Sequence, residues 1–470
     1  MRTDRREFLF RMGSGIGSVA LSALLARDGL RAAEAPAMNK DPLAPRLGHH
    51  PARAKSCIFL LMEGGVSHVD TFDPKPALER LHWQRYERKG GKKSSQTAGE
   101  RNFVRSPFRF EKRGTSGMDV SELFAATGAH ADSLAFVRSV YADSDNHPAA
   151  LFQLATGRAV QGHPSMGSWA VYGLGTLNRN LPAFVVLRDG RPFGGTACWS
   201  NGFLPACFQG TQLRGGPKPI LDLAPADGAS RDQERRNLDL LARLNRSHRE
   251  RLEGNHGELE ARIEAYELAF RMQAEVPEAV ALGSESEETR RLYGLDKDAT
   301  RSFGERCLLA RRLVERGVRF VQVWAGGWDS HDNISVGHRE AARKVDRPIA
   351  GLLEDLKRRG LLDGTLVVWG GEFGRTPDTQ ESKKDAPGRD HNPGAMTMWF
   401  AGGGVRGGAC VGATDEVGDR AIEDRYHLRD VHATILHLMG LDDARLTYYH
   451  AGRFEQLTDT GGKRIERILA

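Results

Sequence analysis

Short apolar runs recur along this chain of 470 residues, and each run ends at a glycine or a turn. The runs cover residues 55–62, 133–141, 182–187, 318–324, 366–369 and 395–401. Continuous apolar runs of this kind are typical of strands that are buried on both faces of a parallel sheet. Amphipathic helices are predicted between them at 303–316, 347–359 and 428–439. The alternation predicts an α/β fold with a doubly wound, mainly parallel sheet flanked by helices.

Two segments interrupt this alternation. Residues 77–117 are polar and basic, which predicts a long surface loop. Residues 229–275 are charged with leucines at helical spacing, which predicts one or two inserted helices that serve as a lid or a packing arm. A coiled-coil partner is the alternative for this insertion, although the heptad is not sustained. The α/β domain is predicted at 55–470, after a linker at 36–54.

The N-terminus carries the features of an export signal. Arg5 and Arg6 precede Phe8-Leu9, a modestly apolar stretch follows, and small residues lie at 33–35. Residues 1–35 resemble a twin-arginine signal peptide, and a frayed helix with two chance arginines is the alternative. The apolar stretch is too short and weak for a membrane span. The sequence therefore predicts export by the twin-arginine machinery to the periplasm or the cell exterior, with no permanent membrane span.

Charge, cysteine usage and local motifs exclude several classes of protein. Lys and Arg number 67 against 61 Asp and Glu, and the net charge of +6 comes without a dense basic tract, so no nucleic-acid partner is predicted. The five cysteines form no C-x-x-C pair, which argues against a disulfide framework and a structural zinc site. Neither G-x-x-x-x-G-K-[ST] nor G-x-S-x-G occurs.

Acids and histidines gather where the predicted strands end. The carboxyl ends of parallel strands form the ligand-binding edge of an open sheet. The candidate metal ligands near this edge are Glu63, Asp329, His331, Glu372, Asp390 and His391. Carboxylate oxygens with imidazole nitrogens suit zinc, manganese or iron better than magnesium. We predict a shared divalent-metal site with zinc, manganese or calcium, while a hydrogen-bonded turn or a solvated charge is the alternative for each pair alone.

A second candidate feature is the start of a helix after residue 145. Asn146 is a favourable N-cap and Pro148 suits the first turn, and a helix N-terminus attracts anions. His147 or Ser144 is predicted to face the anion as the catalytic side chain, with plain capping as the alternative. The predicted substrate-binding residues are His68, Lys75, Arg138, Arg158 and Arg375.

Six segments carry a family resemblance: residues 63–76, 143–158, 326–333, 370–377, 388–393 and 430–436. Over nearly all of 55–470 the chain resembles the twin-arginine-exported, sulfatase-like family of unknown function in the alkaline phosphatase superfamily. Active members of that superfamily are one-metal or two-metal hydrolases of phosphate or sulfate esters with a Ser, Thr or modified Cys nucleophile. The resemblance implies metal-binding roles for Glu63, Asp329, His331 and His391.

Two departures from the superfamily pattern bear on the activity. The chain has Glu372-Phe373 where the superfamily carries an Asp-His pair, so one histidine ligand is missing. Residues 146–150 replace the C/S-x-P-S-R segment of sulfatases, so that nucleophile and its arginine are absent.

Together these features predict an exported, metal-dependent hydrolase of phosphate or sulfate esters. The predicted substrate is an anionic small molecule or a polysaccharide, including a sulfated one, and water is the alternative nucleophile to His147 or Ser144. A non-catalytic, sulfatase-like binding protein of the cell envelope is the alternative function, favoured by the missing nucleophile. A redox role lacks any cofactor motif.

Overall fold

A computed structural model describes residues 41–87, 99–214, 220, 230–250 and 257–470. The predicted signal peptide lies outside the described residues, so export stays a prediction. All elements below belong to one compact unit, Leu43–Ala470. No helix in the described part of the chain has both the length and the apolar character needed to cross a bilayer.

Nine strands of the described chain form the central sheet. They are β1 (Ser56–Met62), β2 (Leu134–Tyr141), β3 (Phe184–Leu187), β4 (Thr211–Leu213), β5 (Phe320–Ala325), β6 (Thr365–Gly370), β7 (Met396–Ala401), β8 (Cys410–Val411) and β9 (Tyr426–His427). Their order is β8-β2-β7-β6-β1-β5-β3-β4, and β9 also pairs with β2. Neighbours are parallel except that β7 is antiparallel to both β2 and β6. The predicted mainly parallel sheet and its six strands are confirmed.

Helices cover both faces of this sheet. Those of six residues or more in the described chain are α1 (Pro76–Leu81), α2 (His147–Thr156), α3 (Met166–Leu174), α4 (Arg231–Glu250), α5 (Gly257–Val280), α6 (Glu287–Leu292), α7 (Asp298–Glu315), α8 (Ile334–Arg358) and α9 (Leu428–Leu438). The three predicted helices are confirmed as α7, α8 and α9. However, α8 begins at Ile334 rather than at residue 347, and Pro348 lies inside the helix.

The central strands are buried on both faces, which explains their continuous apolar sequences. In β1, Cys57, Phe59 and Leu61 pack into one apolar cluster. The alternating residues Ile58 and Leu60 pack, with Met62, into the cluster on the other face. Successive side chains of a strand point to opposite faces, so a strand without polar residues fits only between two layers.

Residues 77–117 are more structured than the predicted surface loop. Their described part includes most of α1 and the strands Arg101–Phe103 and Phe110–Arg113. The strand at Arg101 pairs with Asp378–Gln380, and the strand at Phe110 pairs with Met118–Ser121. The prediction of a long surface loop is therefore wrong for these residues, because one strand pairs with a distant strand and the other forms a local hairpin.

The described part of the predicted linker packs against the domain. Leu43 and Ala54 are buried. The backbone N–H groups of Arg53 and Ala54 donate to the carbonyl of Leu438 at 2.9 and 2.8 Å. The domain therefore begins before residue 55, at Leu43.

The predicted helical insertion forms the two helices α4 and α5. Met272, Val276 and Ala279 of α5 join the core beneath α7 and α8. Arg235 of α4 donates to Glu267 of α5 at 2.6 and 2.7 Å. In the described residues, α5 is thus a packing element of the core and α4 pairs with it.

Candidate metal centre

One edge of the sheet collects the predicted ligands. Glu63 follows β1, Asp329 follows β5 and Glu372 follows β6, and these three strands run in parallel. The antiparallel strand β7 begins at this same edge, which places His391 just before it. β2 also ends here, and the chain then enters α2 at His147.

Three imidazoles converge on the carboxylate of Asp329. The Nε2 atom of His147 lies 3.2 Å from Oδ2 of Asp329. The Nε2 atoms of His331 and His391 lie 3.0 and 3.2 Å from its Oδ1. Nε2 of His331 is also 3.0 Å from Nε2 of His391. Donor atoms of four side chains therefore face one small volume.

Each imidazole is held from behind through its Nδ1 atom. For His147, His331 and His391 in that order, the acceptors are Glu372 Oε1 at 2.7 Å, Asp390 Oδ1 at 2.7 Å and the carbonyl of Asp145 at 2.6 Å. An acceptor at Nδ1 fixes the proton there and leaves the Nε2 lone pair free for a cation. Glu372 and Asp390 therefore contact these imidazoles, while direct metal binding by the two carboxylates stays a prediction.

The residues of this cluster fit a divalent metal. Ligand atoms of His147, Asp329 and His391 lie within 4.8 Å of one another. Glu372 is fully buried, and its Oε2 atom has no hydrogen-bond partner among the described residues. Imidazole and carboxylate donors backed by a second layer of acceptors are typical of zinc sites. Calcium prefers oxygen ligands alone, so of the predicted metals zinc and manganese fit better than calcium.

Hydrogen bonds within the cluster shift the pKa values of its side chains. Burial alone would raise the pKa of Asp329, but hydrogen bonds from His147, His331 and His391 hold the pKa of this carboxyl well below its usual range. Burial alone would lower the pKa of His147, but hydrogen bonds to Asp329 and Glu372 outweigh it and raise the pKa to about 9. The bonds to Asp329 and Asp390 likewise raise the pKa of His331. Without a cation, His147 is therefore expected to stay protonated near neutral pH.

Metal affinity is expected to rise with pH. Because the pKa of His147 is raised to about 9, a cation that binds below that pH must displace its proton. Apparent zinc affinity should increase about tenfold per pH unit for each displaced proton and level off above about pH 9. Competition with a chromophoric chelator across this range measures it. An affinity that stays constant from about pH 6.5 to 9 would contradict the protonated centre.

His147 owes its position to the predicted start of α2. Oδ1 of Asn146 accepts a hydrogen bond from the N–H of Ala149 at 3.3 Å, and Pro148 lies in the first turn, as predicted. The Ser144 hydroxyl accepts from the N–H of Asn146 at 3.1 Å. Ser144 thus serves the turn before the helix, and no described hydrogen bond joins it to the imidazoles.

Glu63 lies beside the cluster. Its Oε1 atom accepts a hydrogen bond from the N–H of Phe193 at 2.6 Å. Burial raises its pKa to about 7, with a further rise from the charge of Glu372, despite the bond from Phe193. The Phe193 ring, which the sequence reasoning missed, stacks on His147 with 4.6 Å between ring centroids. The sequence feature that could have indicated Phe193 is the glycine-rich turn after β3.

Arg375 has a structural position, contrary to the predicted role in substrate binding. Its side chain is fully buried. Nε donates to the carbonyl of Gly65 at 2.8 Å, Nη1 to the carbonyl of Arg389 at 3.0 Å, and Nη2 to Oδ1 of Asp329 at 2.6 Å. The guanidinium therefore orients Asp329 and joins three loops of the edge.

The other predicted substrate-binding residues have partners of their own. Arg158 pairs with Asp459, beyond the far end of α2. A helix rises about 1.5 Å per residue, so this end lies roughly 15 Å from His147. The remaining contacts are Lys75 with Asp73 at 3.0 Å, Arg138 with Asp119 at 3.4 Å, and His68 Nε2 with the carbonyl of Gly418 at 2.8 Å. The described hydrogen bonds and ion pairs of these residues do not reach the imidazoles.

The sheet and its edge define an α/β protein with a candidate histidine-aspartate metal centre. The chain belongs to the family DUF1501, described as a protein of unknown function, which matches residues 54–469. Membership in a family of unknown function agrees with the prediction, while the sulfatase-like character of that family and the twin-arginine signal stay predictions. No curated protein matches the chain.

Solved structures with a similar arrangement include a sulfatase and an alkaline phosphatase. PsFucS1 sulfatase from Pseudoalteromonas sp. is 13% identical, with 91% of this chain and 71% of that chain covered and a TM-score of 0.34. Alkaline phosphatase from the Antarctic bacterium TAB5 is 11% identical, with 82% and 98% covered and a TM-score of 0.33. Ps i-CgsB, in complex with k-i-k-neocarrahexaose, is 12% identical, with 84% and 72% covered and a TM-score of 0.37. These likenesses are too weak to transfer an activity.

Proposed function

We propose that this protein is an exported, metal-dependent hydrolase of phosphate or sulfate esters. The observation that carries the proposal is the convergence of three imidazole Nε2 atoms on Asp329, each with its Nδ1 atom bonded to an oxygen. Three imidazole nitrogens around one carboxylate offer donor atoms that a divalent cation could share once it displaces the protons that they hold without it. Export by the twin-arginine route, which carries folded proteins, agrees with a centre that forms only in the folded chain.

His147, Asp329 and His391 would hold the cation, with His331 as a further candidate ligand. A bound divalent cation supplies Lewis-acid stabilisation of the negative charge that develops on an ester oxygen. Glu372 and Asp390 keep the imidazoles in place and fix their protons at Nδ1. Arg375 holds Asp329 from the protein interior.

Water is the nucleophile in this proposal. Among the described residues, no side-chain hydroxyl or thiol hydrogen-bonds to the imidazoles of the cluster or to the carboxylate of Asp329, and the sulfatase nucleophile is absent from the sequence. Glu63 is the candidate proton carrier, because a pKa raised to about 7 lets it take up or release a proton near neutral pH.

A binding protein of the cell envelope is the second candidate function. The missing nucleophile and the Glu372-Phe373 departure favour it. The buried acceptors behind each imidazole argue for a retained metal centre, which a binding protein could also use. Hydrolysis, rather than metal content, separates the two functions.

Replacing Glu372 by glutamine tests the proposed function. The variant should bind zinc about 10-fold to 100-fold more weakly, because the carboxylate that orients His147 is lost. Its hydrolysis of aryl phosphates and aryl sulfates should fall in parallel. Elemental analysis and chelator competition measure the first effect, and release of the phenol measures the second.

Glu340→Gln is the matched control, since it removes the same charge from an exposed position of α8. It should leave zinc affinity and hydrolysis unchanged. Wild-type protein that binds zinc but hydrolyses neither class of ester would favour the binding function. Equal zinc affinity in Glu372→Gln and the wild type would contradict the proposed metal centre.

A further inference from the structure

Arg101 connects a peripheral strand to the metal centre. It begins the short strand Arg101–Phe103, which pairs in antiparallel register with Asp378–Gln380. Arg101 is only 5% exposed, although it lies in a segment whose sequence is polar and basic. A buried arginine needs acidic partners, because an unpaired charge inside a protein is costly.

Two buried carboxylates share the guanidinium of Arg101. Its Nε atom bonds to Oδ2 of Asp378, and its Nη2 atom lies 2.6 Å from Oδ2 of Asp390. Both aspartates are buried. Because a guanidinium presents several donors in one fixed plane, a single arginine can hold two acids at once. The side chain of Asp390 is thereby tied to the strand that begins at Arg101.

Asp390 passes this restraint on to His331. Its Oδ1 atom accepts the hydrogen bond from Nδ1 of His331 at 2.7 Å, while its Oδ2 atom faces Arg101. The backbone of Asp390 is also held, since its N–H donates to Oγ1 of Thr376 at 3.1 Å and its carbonyl accepts from the N–H of Thr376 at 2.9 Å. Rotation of the side chain is the freedom that is left to Asp390, and the ion pair with Arg101 opposes it.

His331 is the imidazole of the cluster that most needs such a restraint. Its side chain is 24% exposed, against 11% for His147 and 4% for His391. His147 lies in a helix and His391 in a short strand, whereas His331 lies in the loop between β5 and α8. Ordering a loop side chain costs conformational entropy, so a fixed partner at Nδ1 is needed to keep its Nε2 atom aimed at Asp329.

We propose that Arg101 is a positioning residue of the metal centre, because through Asp390 it holds His331 in the orientation of a metal ligand. A cation then meets a nitrogen that is already in place, and less ordering is left to the binding step. The inference rests on the metal centre of the proposed function, but it does not require hydrolysis. Partners behind a ligand contribute about 10-fold to 100-fold to metal affinity, and Arg101 lies one contact further away, so we expect about tenfold.

Competition for zinc with a chromophoric chelator, on the folded full-length protein, tests this role. Arg101→Met should weaken zinc binding about tenfold. In a His331→Ala background the residue through which Arg101 acts is gone, so the same substitution should change zinc affinity less than about twofold. The comparison separates positioning from a general structural role, which would cost affinity in both backgrounds.

Arg311→Met is the matched control. Arg311 is also buried and pairs with two acids, Glu285 at 2.8 Å and Asp355 at 2.9 Å. Asp355 lies in the second half of α8, which begins near the metal centre at Ile334. A helix rises about 1.5 Å per residue, so Asp355 is roughly 30 Å from that end. The control should lose stability but keep the zinc affinity of the wild type.

Wild-type zinc affinity in Arg101→Met would overturn the proposal, and so would equal losses with and without His331. If Arg101→Met fails to fold, Arg101→Lys keeps the charge without the fork that holds two acids. It should still bind zinc more weakly, and wild-type affinity in this variant would overturn the proposal as well. Zinc binding that needs Asp329 but not Arg101 would refute this role and leave the metal centre intact. Zinc binding that depends on Arg101 in a protein that hydrolyses no ester would support this role and refute the hydrolase.

Discussion

Asp329→Asn is expected to abolish stoichiometric metal binding and ester hydrolysis. Asp329 is the carboxylate that all three imidazoles face, and asparagine keeps its shape but removes its charge. Loss of an orienting carboxylate costs about 10-fold to 100-fold in metal affinity, so loss of a direct ligand should cost on the order of 100-fold or more. Elemental analysis after dialysis and phenol release from aryl esters measure the two effects.

Asp332→Asn provides the matched control. Asp332 lies three residues further along the same loop, is exposed and pairs with Lys383 at 2.8 Å. Its replacement removes the same charge and should preserve metal content and hydrolysis. If Asp329→Asn retains one equivalent of zinc with wild-type affinity, then the imidazoles around this residue do not form a metal centre with it.

Arg389→Met is expected to cause the largest loss of stability. Arg389 and Asp70 form an ion pair with both side chains fully buried, with Nε to Oδ2 at 2.7 Å and Nη2 to Oδ1 at 3.2 Å. Burial alone would raise the pKa of Asp70, but Arg389 outweighs it and lowers that pKa. Removing the arginine leaves a buried carboxylate unpaired, which should lower the free energy of unfolding by about 3–5 kcal/mol.

Denaturant unfolding of the metal-free protein measures this loss. Arg358→Met removes an exposed ion pair with Glu354 and should cost at most about 1 kcal/mol. The double variant Asp70→Asn with Arg389→Met should recover part of the loss, since no unpaired charge then remains. Similar losses in Arg389→Met and Arg358→Met would show that the buried pair contributes little.

The sheet and the edge of the site could be predicted because both depend on local sequence. Apolar runs such as 55–62 and 318–324 identify strands that are buried on both faces. A polar residue directly after such a run must lie at the ligand-binding edge. This reasoning selected Asp329 and His331. His391 precedes the run at 395–401 and lies at the same edge because β7 is antiparallel to its neighbours.

The roles of individual residues at that edge could not be predicted, since they depend on distant partners. Glu372 and Asp390 look like ligands in the sequence, yet each accepts the Nδ1 proton of a histidine. Arg375 looks like an anion-binding residue, yet its guanidinium donates hydrogen bonds to backbone carbonyls of other loops.

The antiparallel strand β7 has a consequence for the order of assembly during synthesis. β2 and β6 do not pair directly, and β7 alone joins them in the described sheet. His147 reaches the edge only by way of β2, so it meets Asp329 after the ribosome has released β7 and the preceding His391. The metal should therefore bind late in synthesis. Nascent chains that end before residue 391 should not bind it.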